Sequence, residues 1–245
     1  MRPVSTAPIM MPKKQSKRYK KALELVKPGK RYSVAEAADL VGKFPKAKFD
    51  ESIELAFKMG IDPRKTDQMI RGTVRLPNGS GKEVKVLVFA KEAGAIEAAK
   101  AAGAEYVGFD EFIEKVNSGW TGFDVAIATP EAMGEVRKLG RVLGPRGLMP
   151  NPKVGTVTDD TGKAVLEVKA GRVEYKLDKG ANIQVLAGKT SFKPEQIVQN
   201  TLTIIDAIIK AKPSATKGRY IENCVLSSTM SPGIPLDVRE MLKAA

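Results

Sequence analysis

Residues 84–129 most constrain how this chain folds, because they alternate apolar runs with helical patterns. VKVLVFA (Val84–Ala90) is an almost unbroken apolar run, as expected of a strand covered on both faces. The Ala-rich EAGAIEAAKAAG (Glu92–Gly103) follows and reads as a helix stopped by a glycine. A short strand in AEYVGF, a helix around DEFIEKVNSG and a strong strand FDVAIAT (Phe123–Thr129) continue the pattern. Thr129, Pro130 and Glu131 then supply an N-cap, a first helical residue and a first-turn acid, with Met133, Val136 and Leu139 at helical spacing. Such repetition predicts a largely parallel sheet with helices on its faces.

The flanks follow a different rule. Ser33-Val-Ala-Glu36 is a capping box that opens a helix through Leu40. In FDESIELAFKMG the residues Ile53, Leu55 and Phe57 fall on one face, with Glu54 and Lys58 on the other. This period of two marks a sheet with one buried and one wetter side. RVEYKLD and NIQVLAG read as two strands paired through Lys179-Gly180. PEQIVQNTLTIIDAIIKAK reads as a long amphipathic helix with Ile197, Leu202, Ile205 and Ile209 among its apolar positions. RYIENCVLSSTMSPGIPLD is extended again. Neither flank has enough elements to close a core, so the two are expected to pack together. The fold class is therefore α/β with two domains: a discontinuous α+β outer domain (1–79 plus 172–245) and an inserted central domain (80–171) of alternating strands and helices. Connecting strands are expected near RGTVRLP and VLEVKAGR.

Charge divides along the same line. The chain carries 41 Lys and Arg against 28 Asp and Glu, a net +13. Residues 80–171 hold 12 basic and 13 acidic groups, net −1, so the remainder carries +14. A field of that size favours a polyanionic partner through phosphate neutralisation and counterion release. An anionic membrane surface competes, but no strongly amphipathic basic helix with a Trp or Phe face appears, and no apolar run approaches the length of a membrane span. One cysteine, Cys224, forms no internal disulfide and suits a reducing, cytoplasmic setting; the start carries no apolar core of signal-peptide length.

Several chemistries are excluded or weakened. The chain has no histidine, which removes His-based acid–base catalysis, His-containing triads and most zinc sites. Asn78-Gly-Ser-Gly-Lys82 superficially resembles the end of a phosphate-binding P-loop. However, Leu76 stands where the first glycine is required, and Glu83 replaces the magnesium-binding hydroxyl. A linker turn fits better. Cys224 lies in an alternating strand and reads as core. Asp50, Glu51 and Glu54 form no catalytic pattern and read as a solvated strand face or as partners of local lysines. No catalytic residue, metal ligand or cofactor is assigned.

Three stretches invite a binding role. PKKQSKRYKK (Pro12–Lys21) is either a solubilising tail or a contact to an RNA backbone. Ser227-Ser-Thr-Met230-Ser-Pro-Gly233 is either a strand end or a hydroxyl-rich turn suited to close approach by sugar and phosphate. GRVLGPRGLMPNPKVG (Gly140–Gly155) packs four glycines and three prolines into sixteen residues, with Arg141, Arg146 and Lys153 between them. Its prolines stiffen the backbone while Gly144 and Gly147 permit turns. A rigid corner with a local basic spot follows.

Here the residues match a known family. MGEVRKLGRVLGPRGLMPNPKVGTV (Met133–Val157) closely resembles the signature of the ribosomal protein L-one family in its bacterial form. FDESIELAFKMGIDPRKTDQMIRGTVRLPNGSGK is similar to its early segment and SSTMSPG to its late Ser-Thr-Met motif, so the likeness covers nearly the whole chain. The resemblance implies a discontinuous outer domain with a Rossmann-like βαβ central domain inserted in it, in a non-enzymatic protein of the large ribosomal subunit that binds the mobile rRNA stalk beside the tRNA exit site. It also implies help in releasing deacylated tRNA and repression of the protein's own mRNA through an rRNA-like element. Carried over by position, the rRNA face holds Lys48, Phe49, Ser52, Thr229, Met230 and Ser231, with Lys176 and Lys179 as weaker members. Arg141, Arg146 and Lys153 become a secondary RNA contact. The family usually has glycine where Ser231 stands, so Ser231 must fit by a small backbone shift or add a hydroxyl contact. The stretch Met1–Met10 is unlike a typical start, and Met11 is an alternative initiation site.

Overall fold

A computed structural model of the chain describes residues 15–214, 216 and 218–238, without the side chains of Thr66 and Lys153. The first part of the basic tail and both candidate start residues lie outside that range.

The outer domain opens with α1 (Lys17–Leu25), whose N-cap hydroxyl on Ser16 accepts from the Tyr19 amide. The capping box at Ser33 and Glu36 is formed in full and starts α2 (Val34–Lys43). β1 (Ser52–Met59) alternates as the period-two pattern predicts: Ile53, Leu55 and Phe57 are buried, Glu54 and Lys58 exposed. β2 (Arg71–Arg75) then leads to the central domain.

In the central domain, β3 (Val86–Phe89) is fully buried. Its side chains divide by parity, which is how a doubly covered strand behaves. Val86 and Val88 pack with Ala95, Ala99 and Val165, from α3 (Ala93–Ala101) and α7 (Thr161–Lys169). Leu87 and Phe89 pack on the opposite side with Phe112 and Val116 from α4 (Asp110–Asn117). β4 (Tyr106–Gly108) and β5 (Val125–Ala128) flank β3 in parallel, giving the order β4-β3-β5. This is the Rossmann-like arrangement expected for the middle of the chain.

The next helix is less regular than the sequence predicts. Helical hydrogen bonding begins with Met133, in α5 (Met133–Val136), and passes through a 3-10 turn into α6 (Gly140–Leu143). Ala132 rather than Thr129 directly precedes the helix: residues 130–132 form a turn, and Thr129 contributes its carbonyl, which accepts from the Met133 amide (3.2 Å). Gly134, Gly140 and Gly144 weaken helix propensity throughout this stretch, which accounts for the broken geometry. Val136, Leu139 and Leu143 are nonetheless fully buried.

After α7 the chain returns through β6 (Arg172–Lys176) to the outer domain. VLEVK is therefore the end of a helix, and the returning strand starts only after Gly171. β6 pairs antiparallel with β2 rather than with β7 (Asn182–Lys189). The stretches on either side of Lys179-Gly180 meet only in a short turn, through the bridge Leu177–Ile183 and the Asp178 amide, which donates to the Asn182 carbonyl (2.8 Å). β7 turns to β1 instead, because Ile183, Val185 and Ala187 fit the core beneath that sheet.

α8 (Pro194–Lys210) and β8 (Ile221–Ser228) follow, then the short β9 (Ile234–Pro235). The four-stranded antiparallel sheet runs β7-β1-β8-β9. Its core residues pack with Ala37, Ala38 and Val41 of α2 and with Ile197, Ile204, Ile205 and Ile208 of α8. Leu202 points outward, being 37% exposed, and Ile209 is only partly buried. Helical drift carries Ile204 and Ile208 to the core in their place. Cys224 is fully buried, as its strand position suggests. This core joins residues 22–76 to residues 175–238.

Candidate nucleic-acid interface

The sheet register decides which candidates meet. β1 and β8 run antiparallel with Ile53 opposite Ser228, so the start of β1 lies beside the end of β8. Ser52 faces Lys189, the last residue of β7. Three chain segments therefore converge at one edge: 48–52, 189–191 and 228–231.

Hydrogen bonds lock that edge. The Thr229 amide donates to the Ser52 carbonyl (3.0 Å), and the Ser52 amide donates to the Thr229 hydroxyl (3.0 Å). The Glu51 amide donates to Thr190 Oγ1 (3.1 Å), and the Thr190 amide returns a bond to the Glu51 carbonyl (2.9 Å). Asp50 accepts from the Ser191 amide and from the Thr190 and Ser191 hydroxyls. Burial pushes the Asp50 carboxyl up, but these hydrogen bonds and the nearby Lys189 ammonium leave it below its ordinary range. The tethered backbone leaves Lys48 and Phe49 outside, with Phe49 54% exposed. Across the edge Met230 is 52% exposed.

Beneath these groups lies a buried carboxylate rather than a solvated one. Glu51 is 4% exposed; its Oε2 accepts from Ser228 Oγ (2.7 Å) and the Met230 amide (2.9 Å). Its Oε1 meets Arg18 Nη1 at 2.8 Å. Burial raises the Glu51 carboxyl, but the bonds from Ser228, Met230 and the Arg18 guanidinium outweigh it and hold the group below its usual range. Its partner is thus an arginine from α1 rather than a local lysine.

Ser231 fits without strain. Its φ is not positive, and its hydroxyl turns inward, accepting from the Ser228 amide (2.9 Å) and donating to the Pro232 carbonyl (3.1 Å). The hydroxyl completes its own turn.

Not every candidate gathers here. Lys179 lies at the other end of the sheet, where Lys58 of β1 donates to the Gly180 carbonyl (2.7 Å) and faces Asn182, and Lys176 ends β6 in the separate two-stranded β2-β6 sheet. At about 3.3 Å per residue, the six steps from Ser52 to Lys58 separate the groups by roughly 20 Å. Lys176 instead lines a cavity of about 440 Å³ between the domains, with Arg71 and Glu174 on one wall and Gly144, Gly147 and Met149 on the other. The glycine–proline corner therefore faces the outer domain across a cleft. Arg141 and Arg146 are exposed, Arg146 donating to the Thr121 hydroxyl, and the Lys153 side chain lies outside the described residues.

Arg18 and Lys189 escape a linear reading. Lys189 donates to Ser52 Oγ (2.9 Å). Glu51 had a signal: two residues before Ile53, it shares the core-facing phase of β1.

An edge of exposed aromatic, thioether, hydroxyl and ammonium groups, held by structural hydrogen bonds, has the chemistry of a binding surface. Among the described residues no group of three or more His, Cys, Asp or Glu could hold a metal ion, and no described helix is long and apolar enough to cross a membrane. The chain belongs to the Ribosomal protein L1p/L10e family, whose model matches residues 41–232. That family is structural and non-enzymatic. The chain is 52% identical over 227 residues to "Large ribosomal subunit protein uL1" of Clavibacter michiganensis subsp. michiganensis (strain NCPPB 382). The match spans 93% of this chain and 99% of that protein.

Proposed function

We propose that this protein is a structural component of the large ribosomal subunit, in the cytoplasm, that grips the mobile rRNA stalk near the tRNA exit site. In this reading it assists release of deacylated tRNA and represses translation of its own mRNA through an rRNA-like element. One surface serves both RNAs. The carrying observation is the juxtaposition of Phe49 and Met230, two large exposed apolar side chains on a strongly basic domain, beside Lys48 and the Ser52–Thr229 pair. Phe and Met pack on sugar or base surfaces, hydroxyls bond phosphate and sugar, and lysine supplies charge. The resemblance to large-subunit relatives favours the same partner.

The rRNA grip belongs to residues 1–79 and 172–245, which carry the whole positive excess. Residues 80–171 form the inserted domain, offering Arg141, Arg146 and Lys153 as a secondary contact to tRNA or rRNA. Lys176 and Lys179 extend the footprint toward the far end of the sheet. RNA crosslinking with peptide mapping tests the assignment. Crosslinks should concentrate in peptides covering 44–52 and 228–233; crosslinks confined to 137–153 would move the grip to the central domain.

A further inference from the structure

We infer that Arg18 is a positioning residue of the RNA-facing edge, an inference that rests on the RNA-binding reading above. Its guanidinium reaches three acceptors on two separate segments. Nη1 donates to the Pro45 carbonyl (3.3 Å) and to Glu51 Oε1 (2.8 Å); Nη2 donates to the Met230 carbonyl (3.2 Å). Pro45 and Glu51 bracket the segment that presents Lys48 and Phe49. Met230 sits on the turn that presents Thr229. One side chain thus staples together the two loops that carry the exposed apolar groups.

The peptide groups around Met230 are held from both sides. Its amide donates to Glu51 and its carbonyl accepts from Arg18, while the preceding amide, of Thr229, donates to Ser52. The backbone is fixed and only the Met230 side chain projects, which removes an ordering cost from binding. Arg18 is itself placed by α1, whose Ala22, one turn further on, is buried in the outer core. Only a planar fork of donors spans such a set of acceptors; a lysine ammonium is a single point on a flexible stem. The Arg18 side chain is 27% exposed, so its charge is largely committed to this staple.

Arg18→Lys and Arg18→Gln, each alone and combined with Met230→Ala, separate positioning from charge. Full-length proteins are titrated against a transcript of the large-subunit rRNA stalk across a series of salt concentrations. Circular dichroism confirms that each variant is folded at the assay temperature. Both Arg18 variants should bind roughly ten-fold more weakly at fixed salt, with an unchanged dependence of log affinity on log salt. In the Met230→Ala background the loss should be smaller, because one of the positioned groups is gone while the segment carrying Lys48 and Phe49 is still released. Full rescue by Lys, or a salt slope shallower by about 0.9, would show that Arg18 acts as a charge on phosphate and would overturn the inference. Equal losses with and without Met230 would overturn it too. If the unaltered protein fails to bind the transcript, the RNA-binding reading itself falls, whatever Arg18 does.

Discussion

Thr229 and Ser52 hold each other through both backbone amides and one hydroxyl: Thr229 N–H reaches the Ser52 carbonyl at 3.0 Å, and Ser52 N–H reaches Thr229 Oγ1 at 3.0 Å. The two residues are far apart in sequence yet act as one unit of the exposed edge. The Thr229 hydroxyl is therefore both an exposed polar group and an internal acceptor.

Thr229→Val removes that acceptor and any hydroxyl contact to RNA while keeping the side chain's shape. Stalk-rRNA affinity should fall by about 1–3 kcal/mol, measured by equilibrium titration at fixed salt. Unchanged affinity would take Thr229 out of the interface.

Lys48→Ala should weaken binding and make its salt dependence shallower by about 0.9, the signature of one lost phosphate contact. Lys179→Ala, about 20 Å away along the sheet, should weaken binding less. A larger effect at Lys179 would shift the centre of the footprint to the other end of β1.

The edge was only partly legible in the sequence. The period-two pattern of β1 places Ile53, Leu55 and Phe57 inside, and the same phase applied one step earlier places Glu51 inside as well. Arg18 had no such signal, because it stands among Lys17, Lys20 and Lys21 and only the tertiary contact distinguishes it. Lys176 and Lys179 look equivalent to Lys48 in a linear reading. Register separates them, and register here is set by β7 leaving its hairpin neighbour to pair with β1. Likewise the apolar spacing from Met133 to Leu139 falls on inward-facing residues, Val136 and Leu139 fully buried and Met133 partly so, while the glycines among them decided that no long helix would form.

Glu51→Gln should destabilise the folded protein by about 1–3 kcal/mol, since it leaves the Arg18 guanidinium without its carboxylate. Asp50 and Glu51 are both held below their ordinary values of 3.8 and 4.5. A carboxylate whose folded pKa is depressed contributes stability that is complete above the unfolded value and is lost as pH falls through the folded one. Urea unfolding of the unaltered protein should therefore show stability declining as pH drops below about 4.5, and Glu51→Gln should flatten part of that decline. An identical acid limb in both proteins would deny Glu51 this role.

Gly171→Ala should cost on the order of 2–4 kcal/mol. Gly171 has φ +94°, and a Cβ there would sit 2.5 Å from the Gly79 Cα. Gly119→Ala, at φ +98° in open space, carries only the conformational penalty of roughly 1 kcal/mol. Denaturant midpoints that fall equally for the two variants would show that the close crossing is not what demands glycine at 171.

Replacing residues 80–171 with a short linker should leave most rRNA affinity intact, because the exposed edge and the basic excess both lie elsewhere. Collapse of binding in a correctly folded deletion protein would place the grip in the central domain.

The strand order β7-β1-β8-β9 also sets a timetable for synthesis. β1 emerges early, but both of its neighbours are encoded more than a hundred residues later. Until β8 has left the translating ribosome, Ile53, Leu55, Phe57 and Met59 have no finished sheet to enter, and both edges of β1 stay open to other chains. The parallel sheet of the central domain needs only residues 86–128 and can close first. A newborn copy thus carries a completed central domain between two halves of an unfinished one, and the end of the sheet where Ser52, Thr190 and Thr229 meet is among the last parts of the molecule to come into being.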